Sequence, residues 1–396
     1  MTASKAIVVS GYARTPIGGL LGCLAPMTAS DLGAAAIREA LARAKADPAA
    51  VEEVAMGCVL PAGQGQAPAR QAGRKAGIPD SAGAVTLNKM CGSGMKTLMM
   101  AADGLIAGSI DLAVAGGMES MTNAPFLQPK LRAGHKYGHV TTYDHMALDG
   151  LEDAYEPGRA MGTYAEDCAD RYQFTRGEQD AYAIRSLERA RRAIGDGSFA
   201  AEIVAVAVPG KAGATEIATD EQPGRGKPDA IPKLKPAFRR DGTVTAASSS
   251  SISDGAAALV LSREADARAA GRPVLARIIA QATHAQEPRW FTTAPVDAIG
   301  KVLARAGWSV GDVDLFEVNE AFAVVPMAAM RELSIPEDRI NVNGGACALG
   351  HPIGASGARI VVTLLSAMKA RGLTRGIASL CIGGGEATAM AFELVG

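Results

Sequence analysis

The stretch Asn88-Lys89-Met90-Cys91-Gly92-Ser93-Gly94 lies between two segments of different periodicity. Before it, Ala84-Val85-Thr86-Leu87 is short, apolar and suited to a β-strand. After it, Met95, Leu98, Met99, Ala102, Leu105 and Ile106 recur at the spacing of one helix face. The cysteine therefore falls on a tight strand-to-helix turn, at or just before the first helical residues. Unpaired amide N–H groups and the positive end of the helix dipole meet there, which predicts a thiol more acidic than a free cysteine. Gly92 and Gly94 are expected to keep side chains away from the sulfur. Alone, the stretch fits equally well a small buried cysteine at the start of a core helix.

Working outward, strand-like and helix-like segments alternate. A strand at 6–9 precedes a helix at 31–44 with Leu32, Ala36, Ile37, Ala40 and Leu41 on one face. A strand at 54–59 leads to a polar, glycine-containing loop at 62–66, and a strand at 112–115 runs into Gly116-Gly117-Met118-Glu119. This alternation predicts an α/β fold with a mostly parallel sheet and helices on its faces.

The same order returns near the end. Leu303-Ala304-Arg305-Ala306 repeats Leu41-Ala42-Arg43-Ala44, and Val313 precedes its strand at 315–318 as Val51 precedes its own, both at an offset of 262. Ser356-Gly357 opens a helix as Ser93-Gly94 does, at an offset of 263. Ser379-Leu380-Cys381 runs toward Gly383-Gly384-Gly385-Glu386 as the earlier strand ran into its glycines. One offset kept over so many positions indicates two copies of one α/β unit. The second copy closes with a strand at 386–392, whereas the first finds its closing strand only at 254–261. The expected division is a first half of 1–118 plus 250–270, an inserted loop domain of 119–249, and a second half of 271–396. Within the insertion, 178–194 reads as an amphipathic helix and the Pro- and Gly-containing 222–236 as surface loop.

Composition narrows the class. The 396 residues are 48% hydrophobic but only 4% aromatic, so cores should rest on Ala, Val, Leu, Ile and Met, in two or three domains. A net charge of −1 gives no nucleic-acid surface. Cys23, Cys58, Cys91, Cys168, Cys347 and Cys381 share no short paired spacing, which argues for reduced thiols and a cytoplasmic setting. Met1-Thr2-Ala3-Ser4-Lys5 passes directly into a strand, leaving no room for a leader, and no apolar run reads as a membrane span.

In open α/β units, ligands bind beyond the carboxyl ends of the strands. Cys91, Asn319, His351 and Cys381 all follow strands or lie in the loop after one, so facing copies would bring them together. Each has a plainer reading: a satisfied loop histidine, a small core cysteine, a turn or cap asparagine. Cys347 and His351, with Cys91 and Cys381, lack the closely paired spacing zinc wants, so no metal is expected. Cys23, Cys58 and Cys168 read as core. Gly63-x-Gly65 and Gly383-Gly384-Gly385 match neither the dinucleotide fingerprint nor a P-loop.

Four motifs, in order and spanning nearly the whole chain, carry a resemblance. Leu87-Asn88-Lys89-Met90-Cys91-Gly92-Ser93-Gly94 resembles the acyl-cysteine motif of thiolases. Asn319-Glu320-Ala321-Phe322-Ala323 resembles the second block, and Asn343-Gly344-Gly345 with Gly350-His351-Pro352-Ile353-Gly354-Ala355-Ser356-Gly357 the third. Cys381-Ile382-Gly383-Gly384-Gly385 resembles the last. The resemblance implies a thiolase-like α/β fold: duplicated units packed as a pseudo-dimer in αβαβα layers, with an inserted loop domain.

It further implies an acetyl-CoA C-acetyltransferase of the biosynthetic type. Such an enzyme condenses two acetyl-CoA to acetoacetyl-CoA plus CoA by a ping-pong Claisen reaction, or runs the reverse thiolysis, through an acyl-Cys91 intermediate. By the family pattern Cys91 is the nucleophile, His351 the general base, and Cys381 the second acid/base. Asn319 holds a water at the enolate, and the N–H groups of Cys91 and Gly383 hold the oxyanion. CoA thioesters are substrates and products, so no bound cofactor is implied. Ser250, Phe238, Met161, Phe322 and Ala246 are the implied CoA contacts. The family usually carries Asn and Gly where Ala247-Ser248-Ser249-Ser250-Ser251 stands, and a histidine in the covering loop, where 153–160 has none. Longer 3-ketoacyl-CoA substrates therefore remain an alternative. A projecting loop at 126–143 implies a homotetramer, with a homodimer as the other option. A ketosynthase-type enzyme would need a histidine in place of Cys381. A non-catalytic CoA-ester-binding subunit would be marked by loss of Cys91, His351 or Cys381, and all three are present.

Overall fold

The computed structural model describes residues 6–211 and 213–395, so the reading of Met1 to Lys5 lies outside the described residues. The first copy supplies strands β1 (Ile7–Arg14), β2 (Glu53–Gly57), β3 (Gly83–Leu87), β4 (Leu112–Ser120) and β5 (Ser253–Arg263). The second supplies β6 (Ala276–Ala285), β7 (Leu315–Val318), β8 (Arg375–Ile382) and β9 (Glu386–Leu394). They run β3-β2-β4-β5-β1 and then β6-β9-β8-β7, so the second copy repeats the order of the first from the middle outward. An isolated bridge from Phe316 to Ile340 stands where β3 stands in the first copy. The halves join edge to edge through Val8 with Arg277 and Val9 with Ala276.

The sheet is mixed, not mostly parallel. β2 is parallel to β3 and β4, and β7 to β8. β5 and β9 are antiparallel to both of their neighbours. The cause in the second copy is a hairpin: β9 follows β8 after only Gly383-Gly384-Gly385, and so short a link permits only an antiparallel pair. β5 takes the same place in the first copy although its chain arrives from the insertion.

Side-chain alternation along the strands sorts the core into layers. In the first copy, helices α1 (Ala29–Ala44) and α2 (Ser93–Ala107) lie on opposite faces of the sheet. The insertion adds α3 (Met161–Tyr172) and α4 (Arg176–Gly195), and the second copy contributes α5 (Ala294–Ala306) and α6 (Ile353–Arg371). Ala55, Leu259 and Leu261 pack toward α2 and α6, while Val54, Met56 and Val260 pack toward α1. Ala378, Leu380 and Phe392 likewise face the centre, and Ile377 and Ala389 face α5. Helix, sheet, central helix pair, sheet and helix follow one another. Among the described residues only α6 is long and apolar enough to cross a membrane; here it is the buried central helix.

Backbone touches backbone where the copies meet. A Cβ on Gly94 would stand 2.9 Å from the Ala358 nitrogen, and one on Gly357 2.4 Å from the Met95 nitrogen. Gly92 is hemmed in by Ile382, at 2.3 Å. These glycines allow the halves to close, rather than clearing a path to the sulfur as the sequence suggested. Gly117, inside β4, lies on the same seam: a Cβ on it would meet the Gly354 oxygen at 2.1 Å. α6 also starts three residues before the predicted opening at Ser356. In the insertion, Phe126–Leu127 pairs with Tyr143–Asp144 and the chain between them projects, with Tyr137 97% exposed. The stretch read as surface loop at 222–236 holds short helical turns and a buried Ile231.

Candidate active site

Cys91 stands two residues ahead of α2, on a turn locked by its own side chains. Met90 takes a left-handed φ of 47°. Its N–H donates to Asn88 Oδ1 (2.9 Å), its carbonyl accepts from Ser93 Oγ (2.6 Å), and Lys89 N–H donates to that same Oγ (2.8 Å). An ion pair from Lys89 to Glu386 ties the turn to the second copy.

The sulfur opens on a cavity of about 330 Å³. His351, Gly383, Ser250, Met161 and Phe322 share its wall, so both copies and the insertion contribute. Residues 148–155 and Phe291 also line it. Two of the implied CoA contacts are elsewhere. Phe238 is half-buried and edge-on to Phe322 at 5.8 Å, outside the lining, and Ala246 is exposed.

Burial pushes the Cys91 thiol up to about 11, against the acidity expected from its place at a helix start. The N–H groups of Gly383 and of Cys91 itself pull the other way, but less strongly. Apart from its opening to the cavity the sulfur is packed in protein, and the imidazole facing the same cavity carries no charge to offset this. Burial, and after it the charge of Arg359, hold His351 down at about 3. The pair therefore rests as thiol and neutral imidazole, not as an ion pair.

Hydrogen bonds define the tautomer. Ser356 Oγ donates to the Pro352 carbonyl (2.9 Å), so its contact with His351 Nδ1 (2.5 Å) must be a bond donated by Nδ1–H. The lone pair of Nε2 is left free, and this buried nitrogen has no hydrogen-bond partner. Asn319 follows β7 directly, its N–H donating to the Ser379 carbonyl (3.0 Å). It is 1% exposed, and neither its side-chain oxygen nor its nitrogen has a partner, an arrangement that suits a bound water. Cys381, next to last in β8, is fully buried and does not line the cavity. Burial first, then the charge of Cys91, hold its thiol well above the usual range, so the two sulfurs feel each other.

Cys347 bonds the Glu320 carbonyl (3.7 Å) and does not line the cavity, so the zinc set weighed from sequence is not assembled. Sequence reasoning missed Ser356 as the partner of His351, although a serine one turn into the following helix was a usable signal. It also missed residues 148–152 and Phe291, which no local pattern marks; 153–155 belong to the covering loop already read at 153–160.

Comparison with known proteins shows the family. A family described as "Thiolase, N-terminal domain" matches residues 7–265, and "Thiolase, C-terminal domain" matches residues 272–394. Acetyl-CoA acetyltransferase 2 of Arabidopsis thaliana is 49% identical over 392 residues, covering 98% of this chain and 97% of the relative. Acetyl-CoA acetyltransferase of Pseudomonas aeruginosa is 48% identical over 386 residues, covering 97% and 98%. The crystal structure of Acat5 thiolase from Ascaris suum in complex with coenzyme A superposes with a TM-score of 0.93 at 40% identity, covering 98% of this chain and all of that one. With the two domains matched in order over nearly every residue, the chain belongs to the thiolase family.

Proposed function

We propose that the protein is an acetyl-CoA C-acetyltransferase, joining two acetyl-CoA into acetoacetyl-CoA and CoA and cleaving acetoacetyl-CoA in reverse. The observation that carries this reading is the free Nε2 of His351 sharing one cavity with the Cys91 sulfur. Cys91 attacks the thioester carbonyl while its proton passes to Nε2, so no free thiolate is needed beforehand. The Gly383 and Cys91 N–H groups, which already point at the sulfur, hold the tetrahedral oxyanion. The departing CoA sulfur takes its proton from Cys381, which is not in the cavity lining but stands near enough to Cys91 to feel its charge, leaving a thiolate. After a second acetyl-CoA binds, that thiolate removes the α-proton. The resulting enolate is held by protonated His351 and by a water on Asn319; its carbon attacks acetyl-Cys91 and expels the Cys91 thiolate, which takes its proton back from His351 as acetoacetyl-CoA forms. The names of the relatives support acetyl-CoA as the substrate.

Thiolysis of longer 3-ketoacyl-CoA is the second reading. Leu148, Leu151 and Phe291 favour it: they give the cavity an apolar wall beneath a loop that lacks histidine from 153 to 160. The exposed Phe126, Tyr137 and Tyr143 of the projecting loop support a homotetramer, and six free cysteines support a reducing, cytoplasmic setting.

Incubation with acetyl-CoA followed by intact-mass measurement tests the reaction. One acetyl group per chain, mapped to Cys91 and absent from Cys91→Ser, is expected; equal acetylation of the variant contradicts the reading. Initial rates on acetoacetyl-CoA and a medium-chain 3-ketoacyl-CoA separate the two substrate classes.

A further inference from the structure

The motif Gly116-Gly117-Met118-Glu119 has no part in the reaction above, yet its carboxylate lies fully buried between the copies. Glu119 Oε2 accepts the N–H of Gly354 (2.8 Å) and of Val59 (2.9 Å). Oε1 accepts the N–H of Leu60 (3.2 Å) and the thiol of Cys58 (3.4 Å). Gly354 is the second residue of α6, the helix that begins just after His351 and carries its partner Ser356. α6 has no side-chain cap at Pro352 and no acidic residue in its first turn. The carboxyl group of the other copy fills that place, accepting an end N–H.

The other bonds of Glu119 reach the nucleophile. Val59 and Leu60 pack with Met121 and Ile353, and against Met90, Cys91 and Leu151. One buried side chain thus holds both the start of the histidine helix and the segment beneath the cysteine. The fit has no slack: a Cβ on Gly354 would stand 2.6 Å from Glu119 Oε2 and 2.9 Å from the Cys58 Cα. We propose that Glu119 is a positioning residue, fixing His351 relative to Cys91 by capping α6 across the seam between the copies. This deepens the proposed function and rests on its assignment of nucleophile and base.

Glu119→Gln offers one oxygen and one NH2, so in either orientation a donor faces a backbone N–H. The histidine helix should then shift, and a misplacement of about 1 Å costs on the order of 100-fold in rate. The full-length variant is assayed for thiolysis of acetoacetyl-CoA, with kcat expressed per acetylatable Cys91. The expected result is a kcat about 10- to 100-fold lower with KM within about threefold. Amide exchange should quicken at residues 59–60 and 354–356 and stay at parental rates elsewhere. Glu119→Asp keeps the charge but is one methylene short, so it gives the same pattern more weakly and carries the test where the Gln variant does not fold. Unchanged kcat per site, a uniform rise in exchange, or failure of both variants to fold overturns the proposal. Failure of the parent to acetylate on Cys91 would instead sink the reaction assigned above, while the exchange result still judges Glu119.

Discussion

The starts of α2 and α6 occupy corresponding places in the two copies, and they have been put to different uses. Both cross at glycines, Gly94 lying against Ala358 and Gly357 against Met95, because the central layer needs the backbones in contact. Just ahead of each helix the constraint ends. The first copy places a sulfur there, on a turn locked by Asn88 and Ser93; the second places an imidazole, oriented by Ser356. Duplication thus supplied two equivalent helix starts on one seam, and the chemistry lies in how they differ. The supports differ too, since α2 has no side-chain cap, whereas α6 is capped by Glu119 of the other copy.

This contrast can be broken or sharpened by experiment, and the largest effect belongs to the imidazole. Folded protein keeps His351 neutral down to about pH 3, whereas the unfolded chain takes up the proton near its ordinary value of 6.5. Stability contributed by the neutral form is therefore present above pH 6.5 and lost as the pH falls toward 3, on the order of 5 kcal/mol in all. Thermal melts of the parent and His351→Gln from pH 7 to 4 should converge in acid, with the parent losing more. Parallel curves would mean that His351 is not held neutral by the fold. A smaller effect belongs to the seam, which should not tolerate a methyl group. Gly117→Ala, aimed at the Gly354 oxygen, should cost about 1–3 kcal/mol in a denaturant titration. A stability equal to the parent's would mean that the copies are not in backbone contact there.

The duplicated organisation was legible because one offset survives over long distances, and because strand and helix periodicities are local. The return of the chain at 253–263 to close the first copy was legible for the same reason: the second copy shows the closing strand in place. Strand direction was not. Nothing within β5 says that it runs against β4, and the hairpin that explains it lies in the other copy. Gly92 and Gly94 misled because they were read as an open approach to the sulfur. The atoms they make room for, at Ile382 and Ala358, are more than two hundred residues away. Cys91 misled in the same manner. Its helix start favours the thiolate, but burial among side chains from several segments outweighs it. Ser356 was visible as a residue and invisible as a partner, since only the fold turns His351 Nδ1 toward it.

The central claim is that sulfur from one copy and imidazole from the other act on one thioester. Its most direct test is the rate of Cys91 acetylation by acetyl-CoA, followed by rapid quench and intact mass, in the parent and in His351→Ala. Loss of the base should slow acetylation roughly 10²- to 10⁴-fold with the label still on Cys91. Acetylation of the variant at the parental rate would contradict the account.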